Sequence, residues 1–168
     1  MKDEAKKQLT KLIGDYDEKL AETAKVEAAT KAAQAAFPTR FLALESETIR
    51  PLLQEIADLL KERGHEAAVR EQDESSSTAG GVKSAAISLR VVPKPFAGNP
   101  VESNPVAIEI AFSANRAERK VTVSSTNTMM NHGGRIGKRG EYELDAVTSD
   151  VVANHVIQTL TEAFGGAR

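Results

Sequence analysis

The sequence lacks cysteine and tryptophan, and aromatic residues make up only 4% of its 168 residues. Without cysteine it can form no disulfide framework, thiolate zinc site, iron–sulfur cluster or cysteine nucleophile. An excess of one charge is also missing, because 22 basic and 24 acidic residues leave a net charge of −2. A dedicated DNA-binding protein usually carries an overall basic excess, so the composition argues against that class.

Long apolar runs are absent as well. No stretch approaches the roughly 18 apolar residues that a membrane-spanning helix needs. The chain begins MKDEAKK with no apolar run behind it, so we expect no secretory signal, a cytoplasmic location and no membrane partner. The phosphate-binding loop, the dinucleotide-binding glycine pattern, HExxH and GxSxG do not occur. We therefore predict no catalytic residue, no metal and no cofactor; an enzyme assembled from distant segments stays open but has no positive signal.

Glycine and proline divide the chain into two parts. Residues 15–63 contain no glycine, whereas residues 80–140 contain seven glycines and four prolines. A part poor in these residues followed by a part rich in them predicts helices first, then short strands and loops. We place the domain boundary at Gly64, with a helical segment over residues 1–64 and a sheet domain over residues 65–168.

The first part predicts a long helix from about Asp3 to Phe37. Its apolar positions recur every three or four residues and so form one line along a helix: Leu9, Ile13, Tyr16, Leu20, Ala24 and Ala28. Eight of the sixteen residues from Ala21 to Ala36 are alanine, which favours helix but buries little area. This narrow apolar line offers little area for burial along so long a helix. We therefore expect another helix to pack on it, from this chain, from a second copy or from a protein partner.

Two prolines complicate the helical segment. Pro38 predicts a break, because proline disfavours the α conformation of the preceding residue, and Thr39 can cap a second helix. Pro51 either kinks that second helix or opens a new one at its first position. Gly64 follows the helix as a left-handed cap. We favour a helical hairpin over residues 1–64, with one long kinked helix as the alternative.

Beyond Gly64 the apolar period changes to two. After a short candidate strand at 67–70 and a polar stretch at 73–83 that we expect to be a loop, apolar and polar residues alternate around 86–91, 106–113, 121–124 and 141–144. This pattern predicts about four antiparallel strands with one packed face. A last helix from Thr148 to Phe164 covers them, so the fold class is α+β. The order of elements resembles the outline of several small bacterial adaptor and chaperone-like domains, a likeness of fold that carries no function.

One segment of the second part is locally basic. Residues 116–139 hold six cations against Glu118 alone: Arg116, Arg119, Lys120, Arg135, Lys138 and Arg139. If its strands pair, the cations gather and can bind a phosphate, a nucleic-acid backbone or an acidic surface. The segment has no aromatic residue for base stacking, and solvated strands carry Lys and Arg for solubility as well. We therefore keep anion or nucleic-acid binding as the alternative function.

His155 is the histidine with the most informative surroundings, beside the apolar line of the last helix. It could act as a general base or a metal ligand, or lie half covered at the helix edge. No carboxylate or second histidine lies one turn away to orient it, so we interpret it as an edge residue. The sequence thus favours a non-enzymatic interaction or adaptor-type module that associates through its N-terminal helices.

Overall fold

The fold is described by a computed structural model over residues 3–76, 80–98, 100–129 and 137–165. The helical elements are α1 (Asp3–Leu44), a π-helical segment (Glu45–Ile49), α2 (Arg50–Glu62) and α3 (Ser149–Gly165). The strands are β1 (Glu66–Gln72), β2 (Ser75–Ser76), β3 (Val82–Lys83), β4 (Ala86–Val92), β5 (Ile108–Asn115), β6 (Lys120–Asn127) and β7 (Gly137–Glu143). The predicted α+β class is confirmed. The chain forms two compact units, residues 1–36 and residues 37–168.

The hairpin that the sequence favours is not formed, and its alternative, one long helix, describes the chain. The backbone is helical from Asp3 to Glu62, and Pro38 lies inside α1. Phe37 and Phe41 share one helix face and are 2% and 0% exposed in the core of the second unit. Proline costs a helix about 3 kcal/mol, and burying two phenylalanines offsets this by roughly 1.5–3 kcal/mol each. Tertiary packing therefore overrides the predicted break.

Pro51 accounts for the π-helical segment. It has no N–H for the carbonyl of Glu47, and its ring would collide with that carbonyl in a regular helix. The turn before it widens instead, and the N–H of Arg50 donates to the carbonyl of Glu45, five residues back. The helix is followed by Gly64 at φ 87°, the left-handed cap that the sequence predicts.

Five strands form one antiparallel sheet in the order β1-β4-β5-β6-β7. The prediction of about four strands is thus short by one, because the candidate strand at 67–70 is present as the edge strand β1. The polar stretch 73–83 is not loop throughout, since β2 and β3 pair in a separate two-stranded sheet. Such a short pairing is held by backbone hydrogen bonds rather than burial, so hydropathy does not reveal it. The domain boundary at Gly64 stays a prediction.

Both helices of the second unit pack on one face of the large sheet. α2 contacts β1 and β4, and α3 contacts β5 and β6. Every second residue of β5, from Ile108 through Phe112, is buried on this face. Val152, Val156 and Ala163 of α3 are buried against it, which confirms the predicted cover.

On the opposite face Arg90 holds the proline-rich loop 93–105 in place. Its Nε donates to the carbonyl of Val101 at 2.8 Å, and its Nη2 donates to the carbonyl of Asn104 at 2.7 Å. The same guanidinium pairs with Glu109 at 3.1 Å. One side chain therefore fixes the loop against the sheet by two backbone contacts. Within the described ranges, no helix has the length and apolar character to cross a bilayer.

Candidate functional site

The first unit presents its large apolar side chains to solvent. Leu9, Leu12, Ile13, Tyr16 and Leu20, which we call the apolar stripe, are each between 45% and 64% exposed. None of the described residues up to Ala36 is buried. Because a helix turns once in 3.6 residues, these side chains project from the same side of α1.

Two small residues continue the apolar stripe as far as Ala28. Ala24 and Ala28 follow Leu20 in steps of four and are also exposed. At 1.5 Å per residue, the line from Leu9 to Ala28 is about 29 Å long, and a width of about 10 Å gives roughly 300 Å². Exposed apolar patches of this size on single proteins are often functional.

The basic segment does form a strand pair, as the sequence predicts, but the pairing does not collect its cations at one point. In the antiparallel register of β6 and β7, Lys120 lies opposite Glu143 and Lys138 lies opposite Ser124. Lys120 and Lys138 are therefore four residue steps apart, about 13 Å along the strands.

Most of the described cations of this segment already have carboxylate neighbours. Ion pairs join Arg116 to Glu74 at 3.1 Å, Lys138 to Glu141 at 3.2 Å and Arg139 to Glu162 at 2.6 Å. Arg119 is exposed in the turn before β6 at φ 55°, and Arg135 lies outside the described residues. An anion would compete with a carboxylate at three of these positions, so anion binding stays a prediction that the geometry does not strengthen.

His155 is more covered than the sequence suggests. It is only 9% exposed, and its Nε2 lies 2.6 Å from the hydroxyl oxygen of Tyr142. The two rings meet edge to face, with centroids 5.5 Å apart and planes at 73°. The orienting partner that the helix spacing lacks comes from β7, and no spacing rule within one helix could have found it.

Gly140 makes room for the Tyr142 ring. The two residues lie on the same side of β7, and a Cβ built on Gly140 would be 2.9 Å from the Tyr142 Cε2 and 3.1 Å from its hydroxyl. The ring therefore lies across the glycine. This position lets the hydroxyl reach the imidazole on α3.

A β-bulge directs Arg139 toward α3. The register of β6 and β7 shifts between Val123 and Ser124, which leaves Arg139 unpaired in the ladder. Its Nε donates to the Ser125 hydroxyl at 2.6 Å, and its two terminal nitrogens donate to the Glu162 carboxylate at 2.8 and 2.6 Å. The guanidinium is thus engaged on both edges and joins the sheet to the helix.

Burial and charge act on the titratable groups here. Burial lowers the pKa of His155, and the positive charge of Arg139 lowers it further. The hydrogen bond with Glu162 raises the pKa of Arg139. The imidazole is therefore neutral near pH 7.

A cleft of about 220 Å³ opens beside His155, lined by Tyr142, Val151, Asn154, His155 and Gln158. None of these side chains carries a charge at neutral pH. The cleft offers hydrogen bonds but neither a charged group nor an activated nucleophile, which gives no support for catalysis.

A buried carboxylate lies in the π-helical segment. Glu45 is 4% exposed, and its pKa is raised by burial and then by the charge of Glu71. Arg50 counters both effects, since it pairs with Glu45 at 3.3 Å and also with Glu71. This arrangement links the helix to β1 and has the form of a structural ion pair.

Comparison of the chain with protein-family models, curated proteins and solved structures found no match. In the described ranges, no three His, Asp or Glu side chains are grouped so that they could hold a metal ion. Among the described residues, the apolar stripe brings together five of the exposed large apolar side chains on one side of one helix.

Proposed function

We propose that this protein is a non-enzymatic interaction module of adaptor type. In this proposal, residues 3–36 of α1 bind a helical surface of a protein partner or of a second copy. The apolar stripe supports the proposal, because its five large side chains are about half exposed or more. Burying apolar area stabilises by about 25 cal/mol per Å², so a partner surface that covers the stripe gains several kcal/mol before the costs of association.

The composition of α1 supports the same role. Alanine and charged residues keep the helix formed without a covering surface, since they lose little side-chain entropy on helix formation. Most of the stability of a helix in a protein nevertheless comes from the packing of its apolar face. A helix of this kind is formed in advance and gains stability when a partner packs against it.

The second unit supplies a stable body for this helix. Phe37 and Phe41 are buried in its core, and the backbone is helical from Asp3 to Leu44. A cytoplasmic location belongs to the same proposal, and the absence of cysteine is compatible with it.

Light scattering after size exclusion, combined with limited proteolysis, tests the proposal. Association that rises with concentration supports it directly, and a monomer whose residues 3–36 are cut readily agrees with it, because nothing in that monomer covers the stripe. A monomer at high concentration whose residues 3–36 resist protease would contradict it. In that case the stripe would already be covered.

A further inference from the structure

One face of α3 supplies four of the five side chains that line the cleft beside His155. Their positions follow one another in steps of three, one and three residues, which places them on the same side of a helix: Val151, Asn154, His155 and Gln158. The fifth side chain, that of Tyr142, comes from β7. One strand and one helix of the second unit therefore form the cleft.

One nitrogen of His155 is available to a ligand in this cleft. Nε2 lies 2.6 Å from the Tyr142 hydroxyl oxygen, whereas Nδ1 has no hydrogen-bond partner among the described residues. Every polar side-chain atom that is closed off from solvent in this part of the chain has a partner, so Nδ1 is open to solvent. Because the residue is only 9% exposed, the cleft that it lines is the opening. Nδ1 donates or accepts there, depending on which ring nitrogen carries the hydrogen.

Two amide side chains lie one helical turn apart beside this nitrogen. Asn154 is exposed, and its side chain has no hydrogen-bond partner among the described residues. The amide nitrogen of Gln158 donates to Glu162 at 3.4 Å, which leaves the amide oxygen of Gln158 available. Each amide group can donate and accept hydrogen bonds. The two amides and Nδ1 thus form a group of neutral donors and acceptors on one side of α3.

The cleft has no charge to offer an ionic ligand. None of its five lining side chains is ionised near pH 7, because burial and the charge of Arg139 lower the pKa of His155. The guanidinium of Arg139 is itself occupied by Ser125 and Glu162. An ionic ligand would lose part of its hydration without gaining a counter-charge, which is unfavourable. The lining therefore favours a neutral ligand.

We propose that this cleft binds a neutral polyhydroxylated molecule of the size of one sugar ring. Each hydroxyl of such a ring donates and accepts, as the two amides and Nδ1 do, and its C–H face matches the apolar surfaces of Val151 and the Tyr142 ring. The cleft volume of about 220 Å³ is below the roughly 300–1,000 Å³ of sites for drug-sized molecules, so a single ring matches it. This binding goes beyond the interaction module and is independent of the apolar stripe.

An NMR titration of the isotope-labelled full-length protein tests the proposal. The neutral probes are methyl glucoside, methyl mannoside, methyl galactoside and inositol, and the charged probes are glucuronate and glucosamine. A ligand of about a dozen non-hydrogen atoms in an open cleft should bind with a dissociation constant of about 1 mM. We expect at least one neutral probe to shift the side-chain amide signals of Asn154 and Gln158 and the ring nitrogen signals of His155. The charged probes should bind at least about tenfold more weakly.

Single substitutions at exposed positions locate the binding without disturbing the core. Asn154→Ala and Gln158→Ala each remove one amide, and each should weaken binding about fivefold, the effect of one hydrogen bond. Thr161→Ala is the matched control, because Thr161 is exposed on the same helix and does not line the cleft. This control should bind the neutral probe as wild type does.

Three results would overturn the proposal. The first is the absence of shifts at these signals with every neutral probe, at concentrations about fiftyfold above the expected dissociation constant. The second is equal binding of the charged probes, and the third is unchanged binding in both amide variants. Each of these results leaves the interaction module intact, because light scattering and proteolysis test the apolar stripe separately.

Discussion

The hydroxyl of Tyr142 lies 2.6 Å from Nε2 of His155 and joins the edge strand β7 to α3. Both residues belong to the sheet-and-helix unit, and their contact lies beside the Arg139–Glu162 pair. Two side-chain connections thus hold the C-terminal helix on a strand that has a neighbour on one side only. The stability of this edge is open to direct measurement.

Tyr142→Phe tests the hydrogen bond alone. The ring keeps its packing over Gly140, but the buried Nε2 of His155 loses its partner. We expect a loss of about 1–2 kcal/mol in the free energy of unfolding, measured by urea denaturation. Wild-type stability in this variant would show that the hydrogen bond contributes nothing.

Stability should depend on pH through His155. Because its pKa is lowered in the folded chain by burial and then by Arg139, the unfolded chain binds the proton more readily. The contribution of the neutral imidazole is complete above its ordinary pKa of about 6.5, and it declines as pH falls from there toward the lowered folded value. We expect wild type to lose more stability than His155→Gln between about pH 7.5 and pH 5.5. Parallel profiles of the two proteins would contradict this account.

Gly140→Ala should disturb the Tyr142 ring. The added methyl would lie 2.9 Å from the ring, closer than carbon atoms pack, so the ring must move away from His155. We expect a loss of about 1–3 kcal/mol by thermal or urea unfolding. Gly137→Ala is the matched control, because its Cβ meets no atom within 4 Å. Equal effects of the two substitutions would show that the close approach is unimportant.

Arg139 and Lys138 are adjacent but should differ in their contributions. The Arg139 side chain is 12% exposed and bonds to two residues, whereas that of Lys138 is 56% exposed in its ion pair. We expect Arg139→Gln to cost about 1–3 kcal/mol and Lys138→Gln to stay within about 0.5 kcal/mol of wild type. A double-mutant cycle with Glu162→Gln measures the coupling. No coupling between Arg139 and Glu162 would contradict the structural role.

Local patterns in the sequence predict much of the fold. The alternation in β4 to β7 and the apolar line of α3 are local signals, and the structure confirms the elements that they predict. The break at Pro38 is predicted wrongly because the competing effect, the burial of Phe37 and Phe41, depends on residues far away in the chain.

The contacts around His155 have no comparable signal. Tyr142 belongs to β7 and His155 belongs to α3, so no pattern within one element relates them. The bulge adds one extra residue, Arg139, to β7, and the alternation of faces along this strand is shifted by one residue there. Alternation counted from the sequence cannot show where a register shifts. The apolar stripe, in contrast, is read directly from helical spacing. Its side chains are exposed, whereas the hairpin that the sequence favours would have covered them.

The most direct test of the account is backbone hydrogen exchange across residues 3–36 at increasing protein concentration. We predict rapid exchange in the dilute protein compared with β5 and β6, and slower exchange as wild type associates. Ile13→Glu with Leu20→Glu should abolish the slowing, whereas Gln8→Glu with Ala29→Glu, which adds the same charge away from the stripe, should preserve it. The account would be contradicted if, in the dilute monomer, the backbone of residues 3–36 exchanged hydrogen as slowly as that of β5 and β6.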